Sequence, residues 1–344
     1  MRTIKIIRPI IGAIVVVSSF LFLIFLVSVY KGSIVKKKVY NSPLPKQAND
    51  FSKFWKKEVA LKGSAKAYEE LKEEFKNKSA TTQHNAAHEM GEIIYEKDGL
   101  NAIEICDSAF QYGCYHGVLI SAAVQHGPDI VSSLNKVCLN GKLWAAACQH
   151  GIGHGLIEYF GYNDQGLIKA LDKCRAVIEH DELSGCADGV LMGYEFPITN
   201  SPTGKFPLIR KMESENPYEI CEKIVRSSDI NACYYSMPQW WLILFKDGYK
   251  HVGQLCSEVE STENKKSCFI GVGADVVLRS NFDSTRALWT CNLMPDQISK
   301  VNCLSGAYWL SSRLGDKKSA SKICDNLSID SKKQCLDLNS VDIY

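Results

Sequence analysis

Apolar residues recur at helical spacing along most of this chain. In stretches such as GLNAIEICDSAF and GLIKALDKCRAV they fall three or four positions apart, which is typical of a helix with one buried face. A turn and a second apolar segment follow each stretch, CYHGVLISAA in the first case and CADGVLMGYEF in the second. The pattern therefore predicts an all-α protein built from successive helical hairpins.

One apolar segment near the amino terminus is continuous instead of periodic. Residues 10–30 contain no charged side chain and are long enough to cross the roughly 30 Å hydrocarbon layer as a helix. Basic residues flank the segment on both sides, so the positive-inside rule does not set its orientation. No small-residue cleavage site follows it, which favours an uncleaved signal anchor. We predict a cytoplasmic amino terminus at 1–9, a transmembrane signal anchor at 10–30, a polar linker at 31–50 and a folded domain at 51–344.

Cysteine spacing divides the folded domain into repeats. All 14 cysteines follow the predicted anchor, and none has the CxxC spacing of zinc ribbons or redox motifs. They fall into successive pairs whose second members recur every 32 to 47 residues, which is the period of helical-hairpin arrays. The predicted pairs are Cys106/Cys114, Cys138/Cys148, Cys174/Cys186, Cys221/Cys233, Cys256/Cys268, Cys291/Cys303 and Cys324/Cys335.

In each pair one cysteine lies near the end of a first helix and the other opens a second helix. In an antiparallel hairpin these positions face each other, so a disulfide can close each repeat. Disulfides persist in oxidising compartments, and we therefore expect the domain to be extracytoplasmic: periplasmic, on the cell surface or lumenal. The alternative is a cytoplasmic domain with reduced, buried cysteines.

An earlier hairpin without cysteines, SAKAYEELKEEFKN followed by TTQHNAAHEMGEIIYEKDG, completes an array of about eight hairpins, which predicts an α/α solenoid. Glycine lies three residues after most of the second cysteines, where it lets packed helices approach closely. These glycines are Gly117, Gly151, Gly189, Gly271 and Gly306. Over most of residues 64–338 the architecture resembles the Sel1-like and tetratricopeptide class of disulfide-stapled helical repeats. That resemblance implies the fold and carries over no functional residue.

Two segments depart from the repeat pattern. Residues 196–216 contain three prolines and no helical periodicity, which predicts a loop across one face of the array that closes over a site. The stretch YYSMPQWWLILF is rich in aromatic residues that we expect mainly in the core, with a sugar or peptide stacking surface as the alternative. Pro238 is expected to perturb this helix and to expose Trp240 or Trp241.

Histidines form the most distinctive motif. QHNAAHEMGE in the hairpin without cysteines aligns with QHGIGHGLIE two hairpins later, so an H-x3-H-x3-E string occurs twice. Residues four apart share a helix face, so each string presents two imidazoles to one point. Two positions after the second cysteine, the hairpin between them carries His116 and the following one carries Asp188.

These positions predict one or two metal centres. The first uses His84, His88 and His116, and the second uses His150, His154 and Asp188. Imidazole and carboxylate ligands suit Zn, Fe, Mn or Cu. Glu89, Glu92 and Glu158 are candidate general bases. The alternatives are histidines that hydrogen-bond backbone carbonyls in a purely structural role, or a ligand site without metal.

The string HNAAHEMGE also resembles a HEAT-type repeat segment, in a class of proteins where deoxyhypusine hydroxylases hold two irons with His-Glu pairs. Only His88-Glu89 reproduces that dipeptide, since the later string has His154-Gly155. The resemblance supports a two-metal repeat protein and implies nothing about the substrate.

The sequence leaves two functions open. One is a membrane-anchored, metal-dependent hydrolase or oxygenase; the other is a non-enzymatic scaffold that binds a peptide, glycan or protein partner in the groove of the solenoid. A net charge of +2 and the absence of phosphate-loop, dinucleotide and nucleic-acid motifs disfavour nucleotide and nucleic-acid functions. The membrane is an expected partner through the anchor.

Overall fold

The structure, a computed structural model, describes residues 48–140, 144–179, 181–201, 204–315 and 317–337. The predicted amino terminus, anchor and nearly all of the predicted linker lie outside these residues. None of the described helices has both the length and the apolar character needed to cross a membrane.

The described part is all-helical apart from one short β-hairpin and two short 3-10 segments, Gly99–Glu104 and Pro128–Ile130. The α-helices are α1 (Ala48–Lys62), α2 (Ser64–Phe75), α3 (Ala80–Asp98), α4 (Gly113–His126), α5 (Val131–Asn140), α6 (Ala145–Phe160), α7 (Asp164–Val177), α8 (Cys186–Glu195), α9 (Glu219–Glu222), α10 (Ser227–Phe245), α11 (Tyr249–Glu258), α12 (Thr262–Arg279), α13 (Ser284–Cys291), α14 (Gln297–Leu314), α15 (Lys317–Ser321) and α16 (Ile329–Leu336). The described residues begin at Ala48, so helix α1 includes the last three residues of the predicted linker. Phe51 and Trp55 of α1 pack on the core through contacts such as Phe51 with Phe75, ring centroids 5.9 Å apart.

The second helices of the hairpins pack against one another in chain order: α3, α4, α6, α8, α10, α12, α14 and α16. Helices α4, α6 and α8 are buried over most of their length, so these second helices form the core. The array is also curved enough that α12 contacts α3. Trp144, just before α6, meets Trp309 of α14 edge to face at 5.2 Å. The curvature therefore brings second helices of distant hairpins together.

All seven predicted disulfides are present, and within the described residues no cysteine is free. The Cα–Cα distances run from 5.4 to 6.0 Å, inside the range of roughly 4.4 to 6.8 Å that a disulfide needs. Each bridge joins the two halves of one hairpin, as predicted. Seven disulfides indicate an oxidising, extracytoplasmic environment for the domain.

Two of the predicted first helices are shorter than the pattern suggested. The stretch before Cys106 forms the 3-10 segment Gly99–Glu104, because Gly99 ends α3 with a positive φ of 59° and the chain restarts in a tighter turn. Cys221 lies on the four-residue helix α9, which follows Pro217. The disulfide positions are kept even where the helix that carries them is short.

The glycines after the second cysteines allow close helix contact, as predicted. A Cβ added at Gly117 would lie far inside van der Waals contact of the carbonyl oxygen of His88 on α3. Gly189 meets the His150 carbonyl and Gly271 the Tyr235 carbonyl in the same way. Backbone-to-backbone packing of this kind is possible only without a side chain.

The segment 196–216 is not wholly irregular. It contains strands β1 (Ile198–Ser201) and β2 (Gly204–Pro207), which pair antiparallel with Ile198 opposite Pro207. Beyond them, the Arg210 guanidinium stacks on the Tyr194 ring at 3.6 Å and donates to the carbonyl of Tyr162. These contacts tie the segment to α8 and to the start of α7.

The expected core role of the two tryptophans is confirmed, whereas the expectation that Pro238 exposes Trp240 or Trp241 was wrong. Helix α10 runs through Pro238, and Trp240 and Trp241 are both fully buried. Their indole N–H groups donate to the carbonyls of Arg210 (2.8 Å) and Pro217 (2.9 Å). Residues within segment 196–216 and directly after it therefore supply the acceptors that a buried indole N–H requires, and both tryptophans can be buried.

Candidate metal centre

The five predicted histidines come from three consecutive second helices. His84 and His88 lie on α3, which begins after Ser79, whose hydroxyl accepts from the Thr82 N–H at 3.2 Å. His116 lies two residues beyond Cys114 on α4, and His150 and His154 lie on α6, two and six residues beyond Cys148. The disulfides thus fix the starts of two of the three helices.

Three of the imidazoles converge. The Nε2 atom of His88 is 3.1 Å from Nε2 of His84 and 3.0 Å from Nδ1 of His116. The three ligand atoms lie within 4.8 Å of one another, so together they can hold one metal ion. This is the set predicted from the sequence for the first centre.

The opposite nitrogens of two of these rings are held by backbone carbonyls. His84 Nδ1 donates to the Phe110 carbonyl at 2.9 Å, and His116 Nε2 donates to the Ala147 carbonyl at 3.0 Å. A carbonyl only accepts, so each of these nitrogens carries the ring proton, and in the neutral ring the other nitrogen is a bare lone pair. Two lone pairs therefore face His88 Nε2, where a single proton can satisfy only one of them.

Burial keeps the rings of His84 and His116 neutral. It lowers the pKa of His84 to about 4, with only partial compensation from the Phe110 carbonyl. Burial, followed by the neighbouring histidines, lowers the pKa of His116 well below its ordinary value, and the same causes act on the pKa of His154. Neutral imidazole is the form that binds metal.

The turn that supplies the Phe110 carbonyl is strained. Phe110, Gln111 and Tyr112 have φ values of 52°, 57° and 63°, in the left-handed region that non-glycine residues avoid. Strain of this kind concentrates at functional sites, where surrounding structure holds it in place. Periodicity and spacing carry no signal for such a turn, and sequence reasoning missed it.

The second pair of histidines is arranged differently from the prediction. Nε2 of His154 is 3.0 Å from Nε2 of His150. Asp188 Oδ2 lies 3.1 Å from Nδ1 of His150, on the far side of the ring from His154. Asp188 thus holds His150 in place, but its carboxylate does not face the point where the Nε2 atoms of His150 and His154 meet. The reason is that α8 packs on the Nδ1 side of the His150 ring.

The two groups of imidazoles form one cluster. The rings of His116 and His150 are 5.2 Å apart, and those of His88 and His154 are 6.0 Å apart. The two centres predicted from the sequence are therefore immediate neighbours. We call the five rings the histidine cluster.

Comparison with family models, with curated proteins and with solved structures returned no significant match. The resemblance to the Sel1-like and tetratricopeptide class stays a prediction, and function must be argued from the site itself.

The three candidate general bases lie beside the cluster along its helices. Glu92 and Glu158 are one helical turn beyond His88 and His154, and Glu89 follows His88 directly. All three side chains are partly buried and already interact with neighbouring groups. A cavity of about 110 Å³ near Arg175, Asp181 and Asp229 is lined by none of the five histidines.

Proposed function

We propose that this protein is a membrane-tethered metalloprotein, an extracytoplasmic α/α solenoid of the Sel1-like and tetratricopeptide class that binds a transition-metal ion at His84, His88 and His116. The observation that carries the proposal is the convergence of three ring nitrogens, two of them aimed by carbonyl acceptors on their opposite side. Backbone acceptors on the outer nitrogens of metal-binding histidines fix ring orientation and tautomer. Chain-order packing of the hairpins supports the solenoid, and the uncharged residues 10–30 support the single-pass anchor.

The ligand set favours certain metals. Three neutral nitrogens suit Zn and Cu ahead of Fe, and they suit Mn least because Mn prefers oxygen ligands. All cysteines are consumed in disulfides, so thiolates do not compete for the ion.

Three ligands leave a coordination position open. An ion held this way supplies Lewis-acid activation of water or, as copper or iron, reactivity toward dioxygen. The protein's own contribution is to hold the three nitrogens in place. We assign the role of proton acceptor in hydrolytic or oxidative chemistry to Glu92, one helical turn beyond His88, and to Glu158, one turn beyond His154.

Metal analysis tests the proposal. The full-length chain, carrying a non-histidine tag and purified in detergent without chelating resin, is analysed for metal content and titrated with Zn²⁺ and Cu²⁺. We expect at least one ion per chain, and we expect H84N/H88N to lose it. H126N is the matched control because His126 is exposed and lies outside the cluster. A metal-free protein that ignores added Zn²⁺, Cu²⁺, Fe²⁺ and Mn²⁺ overturns the proposal.

A second candidate function is a scaffold for a peptide, glycan or protein partner. The observation in its favour is a set of strongly exposed apolar side chains at the turns between first and second helices, 61% to 91% exposed. They are Leu139, Val225, Ile298 and Ile329. In an array of hairpins these turns share one edge, and exposed apolar surface along an edge is typical of a partner interface.

Site-specific photo-crosslinking distinguishes the scaffold from the metalloprotein. A crosslinker at position 225 should capture one defined partner in membranes, while one at the partly exposed polar position 173 should not. The capture should survive replacement of His84, His88, His150 and His154 by Asn. Identical crosslinked products from positions 225 and 173 would overturn the scaffold function.

A further inference from the structure

We propose that His150 and His154 bind a second metal ion beside the first, and that Asp188 is the positioning residue that orients His150 for it. The inference rests on the proposed function, because it extends the same histidine cluster from one ion to two.

The first argument is the orientation of His150. Its Nδ1 faces the carboxylate of Asp188 at 3.1 Å, so this nitrogen carries the proton that the carboxylate accepts. The Nε2 lone pair is then directed at Nε2 of His154, 3.0 Å away. A carboxylate behind an imidazole whose other nitrogen points into a cluster of ligands is the arrangement that orients histidines at metal sites.

The second argument is the charge of Asp188. Its side chain is only 8% exposed, and its Oδ1 atom has no hydrogen-bond partner within the described residues. A buried carboxylate with an oxygen that lacks a partner is costly unless a cation lies close enough to neutralise it. A divalent ion on the far nitrogen of His150 supplies that positive charge.

The third argument is the packing that places Asp188. Gly189 lies against the backbone of His150, and a Cβ at Gly193 would come within 3.2 Å of Nδ1 of His154. Two glycines on one face of α8 therefore bring this helix against the backbone of His150 and the imidazole of His154. Close approach of α8 is what allows a short aspartate side chain to reach His150.

The fourth argument is proximity to the first centre. His150 lies 5.2 Å from His116, and His154 lies 6.0 Å from His88, measured between ring centroids. An ion between His150 and His154 thus belongs to the same cluster as an ion at His84, His88 and His116. Paired ions are the arrangement that activates water or dioxygen between two metals.

The competing explanation is a hydrogen bond. One proton on His154 Nε2 donated to His150 Nε2 satisfies both atoms without an ion. Metal stoichiometry separates the two explanations.

The experiment titrates full-length protein in detergent with Zn²⁺ by calorimetry and repeats the loading with Cu²⁺ for electron paramagnetic resonance. The wild-type chain should bind two Zn²⁺, and the two-Cu²⁺ form should show the spectrum of a spin-coupled pair. H150N/H154N should bind one Zn²⁺ with the first Kd unchanged. D188N should keep the first Kd and weaken the second 10- to 100-fold. H126N is the control.

A single Zn²⁺ in the wild type that H150N/H154N retains at the same Kd overturns the second site and leaves the first intact. If the wild type binds a single ion and both H84N/H88N and H150N/H154N lose it, the cluster holds one shared ion, and the second site is overturned as well. A chain that binds none of Zn²⁺, Cu²⁺, Fe²⁺ and Mn²⁺ overturns the proposed function as well. If H150N/H154N does not fold, D188N decides, since an unchanged second Kd excludes the positioning role.

Discussion

The carbonyl oxygen of Phe110 accepts a hydrogen bond from Nδ1 of His84 at 2.9 Å. The acceptor lies in a left-handed turn, and the donor lies on the helix of the preceding hairpin. Strained backbone in one hairpin thus sets the tautomer of a histidine in another. Each element of this relationship is open to experiment.

The strain itself is testable by Gln111→Gly. A non-glycine residue in the left-handed region costs roughly 1–2 kcal/mol, and glycine loses about 0.5–1 kcal/mol through its greater freedom in the unfolded chain. We expect Q111G to raise the free energy of unfolding by about 0.5–1 kcal/mol in urea titrations. Q254G, at an exposed helical glutamine of α11, should lower it by about 1 kcal/mol. Equal losses in both variants would show that the turn is not strained.

Close packing of α3 and α4 is testable by Gly117→Ala. The new Cβ would collide with the His88 carbonyl, so the two helices must separate and the three ring nitrogens must diverge. We expect a loss of stability of about 1–3 kcal/mol and at least tenfold weaker Zn²⁺ binding. G306A collides with the Ile270 carbonyl far along the chain and should destabilise without changing the Zn²⁺ affinity. Similar Zn²⁺ affinities in the two variants would contradict the geometry.

The metal-free protein should be acid-labile because its imidazoles are buried neutral. The pKa of His84 is lowered to about 4, whereas in the unfolded chain it is 6.5. Between these values the unfolded state binds more protons, so stability is full above pH 6.5 and falls as the pH drops to 4. His84 alone accounts for at most about 3 kcal/mol of this loss. Urea titrations at several pH values in this range should show that the free energy of unfolding falls less steeply with decreasing pH in H84N than in the wild type, whereas H126N should behave like the wild type. The same pH dependence in the wild type and H84N would contradict a neutral, buried His84.

Removing a disulfide beside the histidine cluster and removing one far from it should lower stability equally, but only the first removal should weaken Zn²⁺ binding. Removing Cys106–Cys114 or Cys291–Cys303 as alanine pairs opens loops of 8 and 12 residues, and each should cost about 2–3 kcal/mol. The first loop contains the Phe110 turn and ends two residues before His116, so C106A/C114A should also weaken Zn²⁺ binding at least tenfold. C291A/C303A should leave it unchanged. Calorimetric titration with Zn²⁺ measures the affinity of both variants. Equal affinities would show that the Phe110 turn keeps its geometry without the Cys106–Cys114 disulfide.

Much of the fold was predictable because it depends on the spacing of residues that are close together in sequence. The cysteine pairs, the glycines three residues later and the H-x3-H strings each depend on one helix or one turn, and the structure confirms the disulfides and the close helix contacts. The His84, His88 and His116 set also followed from register alone.

The rest depends on long-range geometry. Contact between α3 and α12, and the 6.0 Å between His88 and His154, arise from curvature summed over several hairpins, which no local pattern encodes. Burial of Trp240 likewise depends on a carbonyl thirty residues away in sequence. The side of His150 on which Asp188 lies depends on how α8 packs against α6.

The short reach of the cysteine pairs has a consequence for biogenesis. Partners are only 8 to 12 residues apart, so both thiols of a unit emerge from a translocation channel almost together. Because closing a short loop loses less chain entropy than closing a long one, oxidation within a unit is favoured over links between units. The first two pairs in this order, Cys106–Cys114 and Cys138–Cys148, belong to the units that carry His116 and the His150/His154 pair, so these thiols emerge before those of the carboxyl-terminal half of the chain.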